Sequence, residues 1–120
     1  SNAGWQRDLS VIQERLGDVL LAQGNLAGAL TACRESLAVG RRLAEADPSN
    51  ALWQRDLSFT LTRLAELHER QGERAAGLSL AEESLAIDER LATLDPTNVT
   101  WQKDVAVSRA LVARLRGGSR

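Results

Sequence analysis

Apolar residues recur along this chain at spacings of three and four. In the first stretch Trp5, Leu9, Ile12, Leu16 and Val19/Leu20 line up, and in the next Leu26, Leu30, Cys33, Leu37 and Ala44 do the same. A 3.6-residue period puts each set on one face of a helix, with polar residues on the other. Between the two sets stands Gly24 in "AQGN", and Gly72 holds the matching place in "RQGE". Glycine alone enters the left-handed conformation without a Cβ penalty, so each of these predicts a tight turn joining two antiparallel helices. Further on, Pro48 and Pro96 disfavour helical geometry at Asp47 and Asp95, which predicts a helix stop there. Ser49/Asn50 and Thr97/Asn98 then offer oxygens to cap the next helix, with Asp56 and Asp104 close to its positive end. The pattern predicts five antiparallel helices, at 5–22, 26–46, 51–70, 74–94 and 99–116. No segment alternates with period two for long enough to argue a strand, so the fold class is all-α.

The same words return. Residues 5–52 laid over 53–100 without a gap are identical at 22 of 48 positions, and 101–116 begin a third copy that stops partway. Self-similarity at a fixed period means stacked supersecondary units, here a helical hairpin repeated twice and then one capping helix. The run Leu16-Gly17, Leu20, Gly24, Leu26, Ala29 and Ser36-Leu37, with Leu64-Ala65, His68, Gly72, Gly77 and Ser84-Leu85 in the second copy, resembles the tetratricopeptide repeat. That resemblance covers the chain from residue 4 and implies a right-handed helical-hairpin solenoid. The period departs from the family's usual length of about 34 residues. Two extra turns per helix bring it closer to the long repeats of kinesin light chain. Aromatic positions of the family hold Leu20, His68, Cys33 and Ala81 here.

A terminal repeat must face water, so it exchanges apolar for polar residues. Arg109, Arg114 and Arg116 stand where Leu61, Glu66 and His68 stood, which predicts that 101–116 closes the array and that 117–120 form a flexible tail. No such adaptation marks the first helix, so further repeats or another domain are expected ahead of Gly4, or a homodimer formed through that open face. Ser1-Asn2-Ala3 read as the scar of an expression tag, and the chain has no methionine.

Composition narrows the partners. Fifteen basic against sixteen acidic residues give a net charge of −1, which argues for neither nucleic acid nor an anionic membrane. There is no apolar run long enough to span a bilayer. The single cysteine forms no internal disulfide and fits the cytoplasm.

Enzymatic chemistry needs a constellation, and none assembles. Cys33 lies on an apolar stripe, where a small buried hydrophobe is expected rather than a nucleophile. His68 stands at a hydrophobic position without a second ligand at metal spacing. Glu82 and Glu83 point to different sides of one helix. The chain therefore reads as a non-enzyme without cofactor or metal. The tryptophans Trp5, Trp53 and Trp101 have the reading of aromatic platforms, but each begins the apolar face of its helix, which favours a buried staple between units beside Pro48 and Pro96. The repeated Arg7-Asp8, Arg55-Asp56 and Lys103-Asp104 read as solvated or locally paired charges.

The resemblance also implies where a partner sits. Tetratricopeptide arrays present the first helix of each unit to a peptide or protein. Carried onto this sequence, the groove positions are Val11, Glu14, Asp18 and Leu21, then Phe59, Thr62, Glu66 and Glu69 beside Arg63 and Arg70, then Val107, Ala110 and Arg114. The acids among them favour a basic or mixed-charge segment, with Glu66 partly neutralised by Arg70 four residues on. The function expected is a protein-interaction scaffold within a larger, multidomain bacterial protein; the alternative is a structural self-association module.

Overall fold

The computed structural model describes residues 2–117, and the helices fall where the periodicity places them: α1 Asn2–Ala22, α2 Leu26–Ala46, α3 Ala51–Arg70, α4 Arg74–Leu94 and α5 Val99–Gly117. Among the described residues there is no strand. Ser1 of the predicted tag scar and residues 118–120 of the predicted tail lie outside the described residues, while Gly117 ends α5.

Local chemistry sets the boundaries. Gly24 and Gly72 turn the chain with φ of +81° and +79°, closing each hairpin. Asn50 Oδ1 accepts from the Trp53 backbone N–H at 3.1 Å, and Asn98 Oδ1 accepts from that of Trp101 at 3.0 Å. The asparagines are therefore the caps. Their neighbours Ser49 and Thr97 instead donate side-chain hydroxyls back to Asp47 and Asp95, at 2.9 and 2.6 Å, and so shape the turn before the cap. Asn25 caps α2 through the Gly28 N–H, whereas Glu73, its counterpart before α4, makes no cap bond and meets His68 Nδ1 at 2.8 Å.

Every extensive helix–helix contact joins neighbours along the chain: α1 with α2, α2 with α3, α3 with α4, and α4 with α5. The core is accordingly a series of seams. Ala29, Leu30 and Cys33 of α2 meet Leu64 and Leu67 of α3; Ala44, Leu57 and Leu61 meet Ile87 and Leu91; Ala65 and Ala81 meet Leu111, Val112 and Leu115 of α5. A fully buried leucine such as Leu61 or Leu115 contributes about 1.5–3 kcal/mol.

The tryptophans divide. Trp101 packs, half-buried, on the seam of Ala44, Leu57, Leu61, Ile87 and Leu91. Trp53 is half-buried too and lines a small crevice with Arg7, Ser10, Val11 and Leu43 of the preceding unit. Trp5 corrects the expectation of a buried staple: its side chain is exposed, because no helix covers that face of α1.

Candidate functional site

Along α1, α3 and α5 runs a groove whose main chamber encloses about 570 Å³ between Glu14, Arg55, Asp56, Ser58, Phe59, Thr62, Arg63, Glu66, Asp88, Asp104, Val107 and Ser108. A second chamber of about 320 Å³ continues it past Leu21, Leu67, Glu69, Arg70 and Arg114, sharing Arg63 and Glu66 with the first. The structure thus brings ten of the thirteen predicted groove positions to one continuous surface. Asp18 joins its edge through an ion pair with Arg63, whereas Val11 lines the small crevice beside Trp53 and Ala110 lines neither chamber.

Electrostatics inside the groove differ from the expectation of an acidic face. Asp18 is held by Arg63, and Glu69 receives both Nε and Nη2 of Arg114, at 3.1 and 2.8 Å. That contact holds the Glu69 carboxyl below its ordinary range through hydrogen bonding to Arg114. Arg70 is not the partner of Glu66: among the described residues no ion pair joins them, and the exposed Glu66 makes no ion pair of its own, its charge acting only at longer range on Arg114. The neutralising cations come from the next helix of the groove rather than from the same helix four residues on.

The Arg-Asp words also act across units, which corrects the reading of local pairs. Arg7 Nε donates to Asp56 Oδ2 at 2.7 Å, and Arg55 Nε donates to Asp104 Oδ2 at 2.7 Å, each link spanning one repeat plus one residue. These hydrogen bonds raise both guanidinium groups above their ordinary value. A helical neighbour cannot present a carboxylate to the same face one residue away, while the stacked helix can.

Under the rim lies a hydroxyl-rich floor. Glu14 Oε1 accepts from Ser36 Oγ at 3.2 Å and from Thr60 Oγ1. Asp88, buried, accepts from Ser58 Oγ at 2.5 Å and from Ser108 Oγ. Burial pushes the Asp88 carboxyl up, against the two hydroxyl bonds that favour its ionised form. Ser84 Oγ lies 2.8 Å from both Ser58 Oγ and Thr62 Oγ1. Ser58, Asp88 and Ser108 were not among the predicted site residues. Their signal was present: Asp88 sits on the buried face of its helix between Ser84 and Leu91, where the first copy has Gly40.

The apolar anchors of the groove are Phe59 and Val107, 53% and 61% exposed. The Arg63 guanidinium stands 5.7 Å from the Phe59 ring centre, a cation–π distance. Cys33, by contrast, is buried in a seam with its thiol pushed up to about 12 by desolvation, and its Sγ faces the Thr60 carbonyl at 3.8 Å. Among the described residues no three His, Cys, Asp or Glu side chains are placed to hold a metal ion. No described helix is long and apolar enough to cross a membrane.

Two stacked hairpins and a fifth helix bordering a lined groove define an α-helical repeat array. Residues 12–50 match the family model of the tetratricopeptide repeat, so this stretch of the chain carries a repeat of that kind. Repeats of this family mediate protein–protein interaction. No curated protein and no solved structure matches the chain.

Proposed function

We propose that the groove along α1, α3 and α5 holds an extended segment of a protein partner, seating an apolar side chain between Phe59 and Val107 and a basic residue at Glu66. The observation that carries this reading is the pair of exposed apolar side chains, Phe59 and Val107, lining one chamber with charged and hydroxyl groups around them. Apolar anchors surrounded by satisfied polar groups are how peptide sites combine affinity with orientation. Asp18, Glu69, Asp56 and Asp104 already have cations. A guest of mixed character, apolar with one or two cations, therefore fits better than a strongly basic tail.

A displayed peptide library tests this. Selected binders should combine a bulky apolar residue with lysine or arginine, and Phe59→Ala should weaken them by tenfold or more, about 1.4 kcal/mol. Glu66→Lys should act on the cationic ones alone. Binders indifferent to both changes would show that the groove is not the site. Self-association remains the second reading, favoured by the exposed apolar face of α1; sedimentation over a range of concentrations separates the two.

A further inference from the structure

Trp5, Ile12, Leu16 and Val19 of α1 are 65%, 61%, 46% and 53% exposed. Moved along by one period they become Thr60, Leu64 and Leu67 on α3 behind Trp53, and by two periods Ser108, Val112 and Leu115 on α5 behind Trp101. All six of these residues other than the tryptophans are 8% exposed or less. In both cases the covering element is the second helix of the preceding hairpin, α2 over α3 and α4 over α5. The same face thus occurs three times, twice covered and once bare.

Two further groups say what would cover it. Asp56 and Asp104 each receive an arginine from the first helix of the preceding hairpin. Asp8, their counterpart, is exposed and has no ion pair among the described residues. At the covered joints a hydroxyl answers a carboxylate of the preceding hairpin: Thr60 bonds Glu14, and Ser108 bonds Asp88. The corresponding residue of α1 is Ile12, which has no hydroxyl to give. A buried carboxylate facing Ile12 would lose one of its hydrogen bonds and carry the cost of an under-satisfied buried charge.

We propose that the Trp5-Ile12-Leu16-Val19 face of α1 is a docking surface for a further helical hairpin of the same 48-residue kind, one that brings an arginine to Asp8 and has no carboxylate opposite Ile12. The arginine supplies charge complementarity, and the small and apolar residues of its second helix bury the stripe as Ala29, Leu30 and Cys33 bury Leu64 and Leu67. Neither hairpin of this chain meets the specification unchanged. The first carries Glu14 at the joint. The second carries Asp88, but with Thr62 in place of Glu14 it needs one substitution, Asp88→Gly, which copies Gly40.

The test appends a second copy of residues 53–100 directly ahead of Trp5 in the full chain, so that the copy's Arg55 faces Asp8. With Asp88→Gly in the added copy, amide exchange in α1 should slow at least tenfold and Tm should rise. Leaving Asp88 intact in the added copy should forfeit much of that protection, and Ile12→Ser in the host helix should restore it. Arg55→Ala in the added copy should reduce protection at the start of α1. Unchanged exchange in α1 with either added copy would overturn the proposal, as would equal protection with and without Asp88. So would a parent chain that sediments as a dimer with α1 already protected, which would make a second copy of the chain the occupant.

Discussion

Asp88 of α4 accepts a hydrogen bond from Ser108 of α5 across the joint between hairpin two and the closing helix. One joint earlier the same role falls to Glu14 of α1, bonded by Thr60 of α3. The hydroxyl keeps its place in the repeat, while the carboxylate comes from the first helix of one hairpin and from the second helix of the other. Each site carries one acid: where the second copy gains Asp88 in place of Gly40, it has Thr62 in place of Glu14.

Asp88 gives this protein a pH dependence with a definite sign. Burial raises its folded-state carboxyl above the ordinary value of 3.8, with Asp104 adding to the rise and Ser108, Ser58 and Arg55 opposing it. The unfolded chain therefore loses this proton first, so the Asp88 contribution falls as pH rises from the ordinary value through the raised one. Asp88→Asn keeps the shape and removes the titration. Urea midpoints measured from pH 3.5 to pH 7 should show the variant gaining on the parent as pH rises; a gap that narrows over that range would contradict the assignment.

The Arg7–Asp56 and Arg55–Asp104 links should behave as partly exposed ion pairs, their side chains being between about a quarter and a half exposed. Arg7→Ala and Arg55→Ala are each expected to cost about 0.5–1 kcal/mol. Because salt screens such pairs, the parent should lose more stability than the double variant between low salt and 1 M sodium chloride. Equal salt sensitivity would mean the links contribute nothing measurable.

Two glycines should respond to the same substitution in opposite directions. A Cβ on Gly77 would stand 2.9 Å from the Ala65 carbonyl oxygen, a backbone atom that cannot step aside, so Gly77→Ala should destabilise by about 1–3 kcal/mol. On Gly17 the nearest atoms lie at 3.6 and 3.7 Å, ordinary contact. Gly17→Ala gains helix propensity and should stabilise by up to about 1 kcal/mol. Thermal denaturation of both variants beside the parent reads the difference.

Cys33 should serve as an internal reporter of opening. Its buried thiol, pushed up to about 12, presents almost no thiolate at pH 8. A thiol reagent should label it at least about tenfold more slowly than the urea-unfolded chain at the same pH. Labelling as fast in the folded as in the unfolded chain would remove it from the α2–α3 seam.

Much of this was legible in the residues. Gly24, Gly72, Pro48 and Pro96 act locally, and local rules placed the hairpin turns and helix stops to within a few residues of where they fall. The groove positions came from the resemblance to the tetratricopeptide repeat, and helices stacked by a fixed period carry equivalent faces to one side. What the sequence left hidden is who meets whom between units. Arg7 has Asp8 beside it in the chain, yet it bonds Asp56, 49 residues on, and no adjacency rule holds that information. Glu66 likewise has Arg70 at a favourable helical spacing, while the nearby cations Arg63 and Arg114 are already engaged with Asp18 and Glu69. Trp5 escaped for a related reason: burial depends on a neighbour, and Trp5 opens the apolar stripe of its helix just as Trp53 and Trp101 open theirs.

Because the extensive contacts join only successive helices, the alternate helices α1, α3 and α5 touch one another chiefly through side-chain latches: Arg7 to Asp56, Glu14 to Thr60, Asp18 to Arg63, Arg55 to Asp104 and Glu69 to Arg114. Mechanically the molecule is a folded screen, with greasy hinges and ionic clasps along one edge. A guest lying lengthwise on that edge would bridge panels that the chain itself leaves nearly unjoined, stiffening the screen as it binds.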